Sequence, residues 1–195
     1  MNLDLRQRLL EMEEEDRRVR EALSAAGELF QGYAAEMAKV HQLNAEKLEL
    51  MIEQYGWPGK SLVGEDGANA AWLILQHAIG NPELQRRCLP ILQKAVAQGE
   101  TEPAHAAYLE DRICFFERRP QRYGTHFDWD EEGNLSPWLL ENAERVDEYR
   151  ASVGLPPLAQ QIAEVCEETK DEPKPTDFKK RQEELLTWAK SVGWL

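Results

Sequence analysis

Residues 3–23, LDLRQRLLEMEEEDRRVREAL, decide the fold class. The stretch holds no Gly or Pro, and Leu5, Leu9, Met12, Asp16, Val19 and Leu23 recur at three- and four-residue steps. That is the period of one long amphipathic α-helix. A single position interrupts its apolar stripe. Asp16 is either the turn at which the stripe wets, or a carboxylate aimed inward with Arg20, one turn later, in position to pair with it. Acid–base pairs at this spacing are common on solvated faces, which favours the wet turn.

The same period runs through most of the chain. After a break across Ser24–Gly32, a second helix is expected from about Tyr33 to Tyr55, with Met37, Val40, Leu43, Leu48, Met51 and Ile52 as its apolar members. Gly56 stops it, and Trp57-Pro58-Gly59 turns the chain. Ser61 to Gly64 form a short apolar clip. Glu65 and Asp66 then place acid at the positive end of the next helix, which runs to about Ala78. This is the most hydrophobic helix, with Ala70, Leu73, Ile74 and His77 on one face, so His77 is expected to be partly buried. Asn81 as N-cap and Pro82 at the first helical position begin a fourth helix, to about Gln98, with Pro90 inside it as a kink. Thr101-Glu102-Pro103 opens a fifth, to about Arg118, which carries Asp111 among apolar neighbours.

Beyond Pro120 the pattern changes. Tyr123 to Trp129 and Leu135 to Leu140 read as two extended arms around the acidic turn 130–134. Pro137 limits the second arm to an edge. Asn142 caps a helix from about Ala143 to Ser152, stopped at Gly154, and Pro156-Pro157 open another to about Glu168. Thr176 caps a last helix whose docking stripe is Phe178, Leu185, Trp188, Ala189 and Val192. The expected fold is mainly α, an irregular multi-helix bundle with one small β-hairpin near 123–140. A single helical domain over 1–168, a linker over 169–175 and a C-terminal docking helix over 176–195 are the expected organisation.

Composition excludes several functions. Thirty-six acidic residues against 23 basic ones give a net charge of -13, which repels a phosphate backbone and an anionic membrane face. No apolar run approaches a membrane span, and no apolar signal core follows Met1. Cys88, Cys114 and Cys166 are odd in number and widely spaced, supporting neither a disulfide framework nor a structural zinc site. The chain reads as cytoplasmic, with neither nucleic acid nor membrane as partner.

Phosphate-loop, dinucleotide-fold, nucleophile-elbow and zincin signatures are all missing. The four histidines, His41, His77, His105 and His126, are far apart, so no metal or other cofactor is expected from local spacing; a metal site would have to be assembled from distant elements. What remains is the segment Arg112 to Thr125. Arg112, Arg118, Arg119 and Arg122 face one acid there, Glu117, and Tyr123, Gly124 and Thr125 follow. Arginine suits bidentate recognition of carboxylate or phosphate. For Arg118 and Arg119 a helix end facing the macrodipole is reading enough. Arg112, a turn or more inside the helix, is better suited to a buried pairing or a ligand.

These pieces together resemble an uncharacterised bacterial protein family, a domain of unknown function. The resemblance rests on Asp16 with Arg20, Gly56-Trp57-Pro58, Val63-Gly64, Trp72 with Gln76-His77, Asp111-Arg112, and Gln121 with Tyr123-Gly124-Thr125. It runs to about Gln160 and leaves out the last helix. Arg17 and His126 stand where the family usually has Gln, which weakens any amide contact at those positions.

The resemblance implies no activity, but it directs attention to one polar set. His77, Asp111 and Tyr123 are the candidate catalytic residues, with His77 as the proton-transfer group. Asp16, Arg20, Gln76, Arg112, Gln121, Gly124 and Thr125 are the candidate ligand-binding residues, with Arg112 and Arg20 clamping an anion. An enzyme doing acid–base chemistry on an anionic small molecule is placed ahead of a non-catalytic helical interaction module. In that alternative the same polar residues form a buried structural ion-pair network. A module would recruit a protein partner through the acidic surface or the C-terminal helix.

Overall fold

A computed structural model describes residues 1–27, 32–130, 133–170, 174 and 177–195. Among these, eight α-helices and one two-stranded antiparallel sheet fall into two compact units, Met1–Glu102 and Pro103–Leu195. The fold is mainly α with a small hairpin. No helix among the described residues is long and apolar enough to cross a membrane.

The first unit holds α1 (Leu3–Ala25), α2 (Ala35–Tyr55), α3 (Lys60–His77) and α4 (Pro82–Ala97). The buried residues of α1 are Leu5, Leu9, Met12, Asp16, Val19 and Leu23, the six stripe positions. Asp16 therefore does not wet: its carboxylate points into the core. Along α2 the inward face is Met37, His41, Asn44, Ala45, Leu48 and Met51. Leu43, expected on that face, is 45% exposed, because the stripe turns past it. Gly56 ends α2 at φ +76, a conformation open to glycine.

The apolar clip joins the next helix rather than preceding it. Residues 60–63 make a first turn, Gly64 breaks it at φ +80, and the rest of α3 continues beyond. Arg6 of α1 meets the carboxylate of Asp66 just after that break, through Nε at 2.8 Å and through Nη2. Gly67 follows where a Cβ would lie 2.9 Å from Cβ of buried Val63, so no larger residue fits without a shift. Asn81 accepts the Leu84 N–H at 3.1 Å, and α4 continues through Pro90. From α4, Gln85 donates to the carbonyls of Leu75 at 2.7 Å and Gln76 at 3.2 Å, tying down the last turn of α3.

The second unit holds α5 (Pro103–Phe116), β1 (Phe127–Trp129), β2 (Leu135–Pro137), α6 (Val146–Ser152), α7 (Leu158–Glu168) and α8 (Phe178–Val192). The hairpin pairs Phe127 with Pro137 and Trp129 with Leu135. Asn142 caps as expected, accepting from Glu144 and Arg145 at 3.1 and 3.2 Å, although the regular helix begins only at Val146. On α8, Ala189 is buried and Trp188 lies 5.5 Å from Phe116, while Trp194 stacks on Phe116 at 5.1 Å. Parts of three expected segments, the break 24–32, the acidic turn 130–134 and the linker 169–175, lie outside the described residues, as does the Thr176 cap. Within the described chain Asp177 caps α8, accepting the Lys180 N–H at 2.8 Å.

Candidate functional site

In the first unit three helices bring Asp16, His41 and His77 together. Nδ1 of His77 lies 3.0 Å from both oxygens of Asp16, and Nε2 of His41 lies 3.1 Å from Oδ2. The two imidazole rings stand 5.1 Å apart. Tyr33 completes the group, its hydroxyl 2.7 Å from Nδ1 of His41. Accessibility grades outward: the side chains of Asp16, His41 and His77 are 3%, 10% and 21% exposed, so His77 forms the solvent edge.

Burial opposes ionisation of Asp16, but the close approach of His41 and His77 outweighs it and holds the carboxyl well below the usual aspartate range. A buried, ionised carboxylate is thus held against two imidazoles. Burial and the nearby Asp16 charge push the Tyr33 phenol up, so it stays protonated. Arg20, the partner in the alternative reading of Asp16, is not what satisfies it. Arg20 lies on the exposed side of α1, because one turn of drift carries it off the stripe. Asp16, His41 and His77 each offer a metal-ligand atom, and these atoms lie within 4.8 Å of one another.

His41 was not among the expected site residues. A signal for it exists: it falls at four-residue spacing between Met37 and Ala45, on the inward stripe of α2. Gln76 is buried, and its Oε1 makes no hydrogen bond.

The second unit holds the other expected residues, in a different arrangement. Asp111 is fully buried, and its carboxylate accepts the N–H groups of Arg122 at 2.9 Å, Tyr123 at 3.1 Å and Thr125 at 2.9 Å. The Thr125 hydroxyl adds a fourth donor at 3.0 Å. Burial pushes the Asp111 carboxyl up, and the donors from Thr125, Tyr123 and Arg122 oppose it. Asp111 therefore shapes the loop 121–125 through hydrogen bonds to its backbone, with no ion pair needed.

Gln121 acts similarly on the hairpin. Its amide donates to the carbonyls of His126 at 2.9 Å and Trp138 at 3.0 Å, and accepts the His126 N–H at 2.9 Å. Gly124 sits at φ +65, where a Cβ would meet Leu158 at 3.0 Å and Leu140 at 3.2 Å. Packing by these two leucines accounts for the glycine.

The arginines of this region are distributed over separate partners. Arg119 pairs with Glu117, Arg122 with Glu141 at 2.9 Å, and Arg118 lies 4.0 Å over the Trp138 ring. Arg112 is half-buried on α5, and Tyr123 is half-buried in the loop. Among the described residues the fully buried guanidinium is that of Arg150, for which the sequence pattern gives no signal. It donates to the carbonyls of Pro156 and Tyr123, each at 2.6 Å, and to Oε1 of Gln161.

No curated protein and no solved structure matches the chain. A family model does, over residues 3–170, which takes in every helix except α8. On that match the chain belongs to the family of unknown function DUF6624.

Proposed function

We propose that the protein is an enzyme whose acid–base chemistry is centred on Asp16, His41 and His77. The observation that carries this reading is the graded exposure of the cluster. A shielded carboxylate, ionised against its own burial, holds an imidazole that reaches solvent. Carboxylate-held imidazoles at a solvent edge are suited to moving protons at neutral pH. Arg20, exposed one turn beyond Asp16, supports an anionic small molecule as substrate. The proposed setting is the cytoplasm, where the free thiols of Cys88, Cys114 and Cys166 stay reduced.

A thermal-shift screen against phosphorylated and carboxylated metabolites tests this, run on wild type, His77→Ala and Arg20→Ala. A compound that stabilises wild type and neither folded variant supports the site. Equal stabilisation of all three proteins contradicts it.

A second reading has its own observation. Asp111 and Gln121 spend their hydrogen-bonding groups on their own backbone, which supports a non-catalytic module for the second unit. For that reading a protein partner captured through the acidic surface or α8 is the expected finding.

A further inference from the structure

The contact between His41 and Asp16 lacks something. Nε2 of His41 is shielded from solvent and lies 3.1 Å from Oδ2, yet it makes no hydrogen bond. The other ring nitrogen is engaged by the Tyr33 hydroxyl at 2.7 Å. If Nδ1 carries the proton and donates it to Tyr33, Nε2 presents a bare lone pair. Two lone-pair-bearing atoms so close in a shielded site repel unless a cation lies between them.

We propose that Asp16, His41 and His77 bind one divalent first-row transition-metal ion. The ligand atoms are Oδ2 of Asp16, Nε2 of His41 and Nδ1 of His77. Two observations carry this independently. The first is the unsatisfied Nε2. The second is spacing: the carboxylate stands 3.0 and 3.1 Å from the two nitrogens. Ligands bound at about 2.0–2.2 Å stand roughly 3–3.6 Å apart, and the three donor atoms already lie within 4.8 Å of one another, so a local adjustment of the side chains seats an ion. Two imidazoles and one carboxylate select a transition metal over magnesium or calcium, which prefer oxygen. Tyr33 holds the His41 ring in the ligating tautomer, the role an outer-shell partner plays around a metal-bound histidine. His77, 21% exposed, marks the side from which water would complete the shell.

This inference rests on the acid–base reading only for the use of the ion. Water bound there would lose its proton near neutral pH and carry the proton traffic assigned to the cluster.

The test uses the full chain, stripped with a chelator and titrated with Zn²⁺ or Mg²⁺ against a chromophoric indicator. One Zn²⁺ per chain is expected, with no competition from Mg²⁺. His41→Gln and Asp16→Asn are expected to weaken Zn²⁺ binding by about 100-fold or more, and Tyr33→Phe by roughly 10- to 100-fold. His105→Gln, on α5, is expected to bind as wild type does. Because Asp16→Asn disturbs a buried group, Co²⁺-loaded wild type supplies a readout without substitution: visible bands of nitrogen and oxygen ligation.

No Zn²⁺ uptake, uptake undiminished in His41→Gln, or a cobalt–thiolate absorption overturns the proposal. The two readings also fail separately. Zn²⁺ binding lost in His41→Gln, with no compound found in the metabolite screen, leaves the metal site and removes the enzyme reading. A compound that needs His77, in a chain that takes up no ion, does the reverse.

Discussion

Thr125 gives both its backbone N–H and its hydroxyl to the same oxygen of Asp111, at 2.9 and 3.0 Å. A carboxylate can accept all of these bonds at once, and an amide cannot. Asp111→Asn turns an NH2 group toward backbone donors in a fully buried place. The expected loss is about 2–3 kcal/mol of stability, measured by urea unfolding. Thr125→Val, which keeps the N–H, is expected to lose only about 1 kcal/mol. Equal losses would show that the backbone bonds contribute little.

Arg150 joins three acceptors from separate parts of the second unit: the carbonyls of Pro156 and Tyr123 and Oε1 of Gln161. Arg150→Met keeps much of the volume but strands the carbonyls of Pro156 and Tyr123. A loss of about 3 kcal/mol is expected in chemical denaturation. Arg150→Lys is expected to recover little of it, since an ammonium lacks the planar fork that spans separated acceptors.

Gly67 and Gly80 form a matched pair. A Cβ at Gly67 would overlap Val63, whereas Gly80 has nothing within 4 Å and no positive φ. Gly67→Ala is expected to destabilise by about 1–3 kcal/mol despite the better helix propensity of alanine. Gly80→Ala is expected to be neutral or to stabilise by up to about 1 kcal/mol. Thermal melts of the two variants distinguish a packing constraint from a general intolerance.

His126 packs at 3.8 Å between ring centroids against Phe115. Burial, then the charges of Arg112 and Arg181, hold its imidazole well below the ordinary histidine range. An imidazole so depressed is neutral in the fold at a pH where the unfolded chain already binds a proton. Stability is therefore full above about pH 6.5 and falls as the pH drops below it, through the folded-state value. His126→Gln is expected to flatten that part of the stability–pH curve, measured by urea unfolding from pH 7.5 to 5. A curve unchanged by the substitution would place the titration elsewhere.

Periodicity carried the architecture because it reports which face of a helix is inward. All six stripe positions of α1 are buried, Gly56 and Asn81 act as the expected stop and start, and the hairpin falls between 123 and 140. Periodicity does not report which neighbour an inward residue meets. Asp16 was visible as an interruption, but its partners lie 25 and 61 residues further along, on two other helices. Arg20, the cation one helical turn on from Asp16, offers a local partner on paper, but it lies on the exposed side of α1. Arg150 was hidden for a related reason. It sits on a seven-residue helix too short to show a stripe, and its acceptors are carbonyls, which every sequence has everywhere. Asp111 was legible as an inward acid, but its donors are backbone N–H groups, which residue identities do not reveal.

Asp128 is buried in the hairpin, and its carboxylate is met by Arg181 and, at 2.7 Å, by Gln182, both from α8. The family match ends at residue 170, so that helix lies beyond it. Similarity and physical dependence therefore have different borders here. Cutting the chain at 170 would remove both side chains that meet Asp128 and uncover the Phe116 face that Trp194 stacks upon. The burial of that one aspartate thus depends on a segment outside the matched residues.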